Sequence, residues 1–304
     1  MSKLKKIVIG LLVLLVAIPI IGFGALYLKL NSIYDKEEAK EINQRISEED
    51  SKDEKAEGIT NILLVGVDGE NLDKGNRSDS MIILTIDSKN NDIRLTSLAR
   101  DTYVDIPGKD TEKLTHAYAY GGPSLLIETI KNNFGISIDK YAAVSFSSFV
   151  KIIDAIGGVE INVTEAEVSQ INGVTKSGLQ TLTGEQALSY SRIRYIDSAY
   201  QRDNRQRTVL ESCYQKLSSL STSEILDIAN TLFRYTKTNI TPMEIINIAT
   251  KAIKINDKEF DQMEFPLEGH RKGYTISQEK GWIIEWEKDY NKNALKEFIY
   301  NYEK

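Results

Sequence analysis

Cysteine occurs once in these 304 residues, at Cys213, and histidine twice, at His116 and His270. A single cysteine excludes an intramolecular disulfide and any multi-cysteine zinc site, and reads as a small buried hydrophobe on a helix. Two histidines are too few for a histidine-rich metal centre, and His116, in KLTHAYAYGG, suits a structural or ligand-orienting role better than a catalytic base. The G-x-S-x-G of a serine hydrolase is missing. The stretch GVDGENLDKGNRSDS lacks the G-x-x-x-x-G-K-[ST] spacing of a P-loop, and no G-x-G-x-x-G offers a nicotinamide site. Internal repeats are absent as well. Arginine is scarce: eleven residues against twenty-seven lysines.

Five of those eleven arginines nevertheless fall together, at Arg192, Arg194, Arg202, Arg205 and Arg207, and no lysine lies between Ser177 and Gln215. Lysine would serve solubility equally well. Clustered guanidinium forks grip carboxylate or phosphate oxygens two at a time and stay charged at any working pH. The net charge of −6 makes this a local site and not a nucleic-acid coat. The cluster therefore reads as a phosphate-ligand site, with a solvated basic face paired to Asp197, Asp203 and Glu211 as the alternative.

Ile7 to Leu28 is almost wholly apolar and uncharged. About twenty helical residues cross the roughly 30 Å hydrocarbon core, so this run is long enough to span a bilayer. Lys3, Lys5 and Lys6 precede it, which by the positive-inside rule puts the amino terminus in the cytoplasm and the rest outside. A cleaved signal peptide would have a shorter apolar core, and Gly22-Phe23-Gly24-Ala25 is a weak cleavage site. The expected organisation is a cytoplasmic tip and anchor over 1–30, a charged stalk over 31–58 and one external domain over 59–304. The stalk rests on the runs KEEAKE and SEEDSKDEKAEG.

Ile62–Val67, Met81–Ile86 and Ile93–Ala99 read as strands, the last two joined by the turn-forming DSKNND as a hairpin. Pro123 opens a helix to about 134 after Gly121-Gly122, and strand signals return at 141–146 and 159–163, with a helix over 147–156 between them. Thr183-Gly-Glu-Gln186 is a capping box, and further helices are expected over 203–220, 223–235, 242–254 and 290–303. Strands interleaved with helices predict an α/β or α+β domain: a mixed central sheet flanked by helices.

Hairpin register carries the site argument. The start of one strand faces the end of the next, so Asp79 should lie opposite Arg100, and Asp68, Arg77, Asp79, Arg100 and Asp101 should share one sheet edge. Paired carboxylates beside arginines suit magnesium with a phosphorylated ligand, Asp68 and Asp79 being the natural ligands. Loop capping, or pairing with Arg77 and Arg100, is the competing explanation. In the later cluster, Arg192 and Arg194 would point the same way in extended chain, and Arg202 and Arg205 would share a face near a helix amino terminus, a ready anion site.

The order NILLVGVD, RSDSMIILTID, SLARDTYVDIPG, KLTHAYAYGGP, DAIGGVEINV, LTGEQALSYSRIRY and RDNRQR resembles the LytR–CpsA–Psr family over about Ile59 to Leu220. The resemblance implies a membrane-anchored, outward-facing phosphotransferase of a Gram-positive-type envelope. Its donor would be a teichoic acid or capsular glycopolymer on undecaprenyl pyrophosphate, and its acceptor a peptidoglycan hydroxyl. Asp68 and Asp79 match the family's magnesium-associated aspartates and Arg100 the arginine of the SxxRD motif. Arg192 and Arg194 match the R-x-R pair, and Arg202, Arg205 and Gln206 the R-x-x-R-Q element. Arg77 joins these arginines as a pyrophosphate candidate. Arg100, Asp79 and Asp101 are the catalytic candidates, with Asp101 or another aspartate as base. One departure stands out: Ser198-Ala199-Tyr200-Gln201 replaces the family's usual aspartate-bearing lead-in. A non-catalytic binder of polyprenyl phosphates is the rival reading. DNA regulation fits poorly with an anchor and an acidic balance.

Overall fold

Apolar runs of alternating or continuous character become strands, and the capping signals start helices close to where they stand in the chain. The computed structural model describes residues 28, 30–47, 58–69, 72, 74–193, 196, 199–219, 235–245, 247–248 and 260–300. Helix α1 (Lys36–Ser47) precedes strands β1 (Ile59–Asp68), β2 (Arg77–Asp87), β3 (Asp92–Leu98), β4 (Tyr103–Asp105) and β5 (Thr111–Lys113). Then come α2 (Leu114–Phe134), β6 (Lys140–Ser145), α3 (Phe146–Ala155), β7 (Val159–Val163) and α4 (Glu165–Val168). Next follow β8 (Gly178–Leu182), α5 (Gly184–Ser191), α6 (Ala199–Ser219) and β9 (Thr236–Thr238). The chain closes with β10 (Asp261–Phe265), β11 (Arg271–Ser277), β12 (Gly281–Trp286) and α7 (Lys288–Tyr300). Of the expected helices at 223–235 and 242–254, residues 223–234, 246 and 249–254 lie outside the described residues, as does the apolar run before Leu28. Among the described residues no helix is long and apolar enough to cross a membrane.

The chain divides into two compact units. The first comprises Tyr34–Ala143, Lys237–Thr241 and Lys254–Lys304. It is organised by a six-stranded sheet in the order β10-β3-β2-β1-β6-β9. β1–β2 and β2–β3 run antiparallel and β10–β3 parallel, so the sheet is mixed, as expected. Alternate residues Leu63, Val65 and Val67 of β1 and Met81 and Ile83 of β2 meet Leu126, Ile127, Ile130 and Phe134 of α2 in the core. The Phe134 ring packs against Phe265 at 4.5 Å and Trp286 at 5.4 Å between centroids. Truncating such a buried ring to alanine costs about 3–5 kcal/mol.

Helix α2 is two helices joined at a break, with Gly121 at φ −148° and Gly122 at φ 68°. Only glycine adopts the second conformation without strain, and Pro123 restarts the helix where the sequence places it. The segment read as charged stalk contains α1, which lies against α2: Ile42 is 1 % exposed and Arg45 pairs with Glu128 at 2.7 Å. Its Ala39/Ile42 face is apolar even though its composition is polar, and burial follows the face. A second internal pin is Arg94, fully buried between Asp87 (2.6 Å) and Asp92 (2.9 Å), with Nη1 donating to the Phe298 carbonyl.

The other unit, Met1–Ile33, Val144–Thr236 and Pro242–Ile253, contains the antiparallel β7–β8 pair with α3, α5 and α6. Ile153, Val159, Ile161, Leu182, Ala187, Tyr190 and Val209 form its core. Thr183 accepts from Gln186 N, completing the capping box expected at the start of α5.

Candidate functional site

The end of β1 and the start of β2 carry the first group of polar residues. Gly66 pairs with Ser80 and Val67 with Ser78, so Asp79 is an extra residue in β2, a β-bulge. The bulge changes the alternation. Ser78 and Met81 both point into the core, with Ser78 Oγ donating to Met81 Sδ at 3.3 Å. Asp79 and Ser80 then turn together toward the opposite face, where Asp68 and its register partner Arg77 are exposed.

The β2–β3 register, Ile82 opposite Ser97, extrapolates to Asp79 opposite Arg100. The side chains meet as expected: Arg100 Nη1 donates to Asp79 Oδ1 at 2.6 Å and Nε to Asp101 Oδ2 at 3.3 Å. The remaining amino group, Nη2, makes no hydrogen bond among the described residues. Burial alone would lower the Arg100 pKa, but the charges of Asp79 and Asp101 outweigh it and the net shift is upward. Arg100 is thus a permanently charged fork, held on two edges by carboxylates and open on the third.

Neighbouring elements fix this arrangement through backbone bonds. Thr115 N donates to the Arg100 carbonyl at 3.0 Å and Ile284 N to that of Asp101 at 2.8 Å. Thr115 Oγ1 also binds the Ser78 carbonyl at 2.9 Å, tying α2 to the bulge. Lys113, at the end of β5, places Nζ 3.6 Å from Asp101 Oδ1, so cations flank both Asp101 oxygens. Sequence reasoning missed Lys113. Its only signal is its place in KLTHAYAYGG, since a residue twelve positions beyond Asp101 reaches back only once the β4–β5 pair is known.

Among the described residues no group of three or more His, Cys, Asp or Glu forms a metal cluster. A magnesium ion needs less protein than that, taking one or two carboxylates with phosphate oxygens and water. Asp68 and Asp79 share a face, and Asp79 Oδ2 has no hydrogen bond among the described residues, so this oxygen-only donor set fits such an ion.

The later arginines belong to the other unit. Arg192 caps the end of α5 with φ −108° and ψ 2° instead of running in extended chain, and its guanidinium sits 4.8 Å from the Phe146 ring centroid. Arg194 lies outside the described residues. Helix α6 starts at Ala199, earlier than expected, which places Arg202 and Arg205 inside its first two turns, 7 % and 5 % exposed. Arg205 Nε donates to Glu167 Oε1 at 2.7 Å, while Gln206 is half-buried. Glu167 serves twice, since its Oε2 accepts from Thr164 N at 2.9 Å as half of a capping box. No motif or spacing marks Glu167, 38 positions away, as the partner of Arg205.

His116 Nδ1 lies 3.2 Å from Glu112 Oε2, and its ring is tilted against Tyr120 at 5.9 Å. Both contacts suit an orienting role.

The LytR_cpsA_psr family model matches residues 25–292. A teichoic acid transferase of Enterococcus faecalis, the polyisoprenyl-teichoic acid–peptidoglycan enzyme TagU, is 37 % identical over 82 % of this chain and 84 % of its own. TagU of Bacillus cereus is 32 % identical over 88 % of this chain and 90 % of its own. The solved structure of TagT bound to LIIa-WTA superposes with a TM-score of 0.67 at 25 % identity, covering 83 % of this chain and 93 % of TagT.

Proposed function

The chain belongs to the LytR–CpsA–Psr family, and on that premise we propose that it transfers a teichoic acid-type glycopolymer from a polyprenyl-pyrophosphate carrier to peptidoglycan. The observation that carries the reading is Arg100, braced by Asp79 and Asp101 and open at Nη2. Such a fork is preorganised for a phosphate oxygen.

The acceptor sugar hydroxyl attacks the phosphorus next to the polymer. A new P–O bond forms, the pyrophosphate bridge breaks, and the lipid monophosphate leaves with the bonding pair while the hydroxyl proton passes to a base. Negative charge grows on the phosphate oxygens and the departing bridge oxygen, so fixed positive charge lowers the barrier. Arg100 supplies it without reorganisation, because its brace is already made. Asp101, flanked by Arg100 and Lys113, is better suited to orienting the guanidinium than to taking the proton. Asp68 and Asp79 would hold magnesium, which when bound neutralises phosphate charge. Arg192, Arg194, Arg202, Arg205 and Gln206, which match motifs of the family, and Arg77 are our further candidates for pyrophosphate contacts. The apolar run Ile7–Leu28 would anchor the chain in the cell membrane with the remainder outside.

The test uses the full chain in detergent with a polyprenyl-pyrophosphate-linked saccharide, peptidoglycan oligomers and magnesium. Polyprenyl monophosphate released together with a phosphodiester-linked product supports the transferase. Tight lipid binding with no transfer from several donors would replace it with a carrier-binding role.

A further inference from the structure

A cleft of about 420 Å³ opens in the sheet-bearing unit between α1, the loop before β2 and the break in α2. Ligand sites occupy roughly 300–1,000 Å³, so it is large enough for a small ligand. Its charges balance: Asp35, Glu38 and Glu41 face Arg45, Lys74 and Lys237. The tyrosines Tyr118, Tyr120 and Tyr141 complete the wall, Tyr120 being 45 % exposed. Several of these groups are already committed. Glu38 accepts from Ser124 N at 2.7 Å, Arg45 pairs with Glu41 and Glu128, and the Tyr118 hydroxyl donates to the Leu72 carbonyl. Lys74 is exposed, and Tyr120 has the tilted His116 ring at 5.9 Å and Lys109 Nζ 5.5 Å from its own ring centroid, with part of the ring still open to solvent.

This lining selects by exclusion. A polyprenyl tail needs an apolar trough, and carboxylates and ammonium groups lie along the wall instead. A pyrophosphate needs net positive charge, and here three carboxylates face three cations. What suits such a wall is a polar ligand carrying both hydroxyls and charges of both signs, with a ring face to lie on tyrosine.

The first half of α2 runs from Thr115, whose N–H binds the Arg100 carbonyl, to Gly121 at the cleft. Six residues of helix cover about 9 Å. On the other side, the loop that supplies Lys74 connects Asp68 to Arg77 and is tied to α2 by Gly75 N donating to the Ala119 carbonyl at 2.9 Å. The cleft is therefore linked to the backbone of Arg100 through the first half of α2, and Gly75 ties the Lys74 side of the cleft to the same helix.

We propose that this cleft is the acceptor subsite, binding the sugar and stem-peptide portion of a peptidoglycan unit beside Arg100. The proposal rests on the transfer reaction inferred above and names where its second substrate sits. Lys74 contacts a stem-peptide carboxylate and Tyr120 underlies a sugar ring.

The experiment titrates a soluble disaccharide-pentapeptide into the full chain, wild type and Tyr120→Ala/Lys74→Ala, by calorimetry, and measures transfer kinetics for both. Both side chains are at the surface, and thermal unfolding of the variant confirms that it folds. The expected result is affinity for the disaccharide-pentapeptide weakened about tenfold, as for loss of roughly 1.4 kcal/mol of contact, with acceptor KM raised to match and donor KM unchanged. A folded variant with affinity and acceptor KM within twofold of wild type overturns the cleft while leaving the transferase intact. Binding that depends on Tyr120 and Lys74 in a wild type that transfers nothing upholds the cleft and overturns the transfer reaction. If wild type shows no binding at millimolar probe, the cleft is not the acceptor subsite.

Discussion

Arg100 Nη1 lies 2.6 Å from Asp79 Oδ1, and this one contact joins the end of β3 to the bulge in β2. With Nε bonded to Asp101 as well, the guanidinium enters the site with two edges already occupied, so its direction is set before a ligand arrives. Lysine at this position would keep the charge and lose the fork. Arg100→Lys should therefore lower transfer about 10²–10³-fold, the range for removing one preorganised donor, with thermal stability close to wild type. Single-turnover release of polyprenyl monophosphate is the readout, and a variant within threefold of wild type would remove Arg100 from the chemistry.

Lys113 acts on Arg100 through Asp101. Without the ammonium, one Asp101 oxygen loses its cation at 3.6 Å and the carboxylate is freer to turn. Lys113→Met should reduce kcat by roughly tenfold with donor KM little changed, the pattern of an interaction expressed mainly in the transition state. Lys113→Arg should restore most of the loss. A drop in melting temperature with kcat intact would mark the residue as structural only.

Asp68 and Asp79 predict a metal requirement. Chelation should abolish transfer and added magnesium restore it, and Asp68→Asn should raise the magnesium concentration for half-maximal activity about tenfold or more. Activity indifferent to chelator would leave the two carboxylates as partners of arginine alone.

Glu167 and Arg205 are a buried pair, 7 % and 6 % exposed at the side chain. Breaking a buried ion pair by removing one member costs about 3–5 kcal/mol, whereas replacing both with apolar residues is often close to neutral. Glu167→Ala should be strongly destabilised in urea and Glu167→Leu/Arg205→Met much less so. If the double variant keeps transfer activity, Arg205 serves the fold and not the pyrophosphate.

Asp87 ties stability to acid. Burial alone would raise its pKa, but hydrogen bonds from Asn90 and Lys89 and the charge of Arg94 overcome this and leave it below the ordinary 3.8. A depressed carboxyl stabilises the fold above its unfolded pKa and loses that contribution as pH falls through the folded value. Asp87→Asn should lower the melting temperature at pH 7 and flatten its decline below about pH 4. An unchanged pH profile would assign acid sensitivity to other carboxylates.

Much of the sheet was legible because its strands are apolar runs with strong turn signals between them. Val159–Val163 was located to the residue, and the Met81–Ile86 and Ile93–Ala99 pairing was enough to bring Asp79 to Arg100. What escaped were relations set by three-dimensional packing. The docking of α1 depends on two buried positions, Ala39 and Ile42, hidden in a run of charge. Glu167 and Lys113 are exposed-looking residues whose partners lie far off in sequence or beyond a sharp turn. The bulge was also invisible, since Ser78-Asp79-Ser80 offers no apolar alternation whose interruption would betray it. The departure at Ser198-Ala199-Tyr200-Gln201 coincides with an early start of α6, which moves Arg202 from a loop into a helix.

The bulge also separates two properties that deletions usually damage together. Loss of the single codon for Asp79 would let Ser80 and Ser78 follow one another opposite Gly66 and Val67, giving β1 and β2 an unbroken ladder. The sheet would become more regular at the moment Arg100 lost its shorter carboxylate contact and kept only Asp101. In a collection of natural or selected variants, such a deletion would be soluble, folded and inert, and a screen for expression alone would retain it.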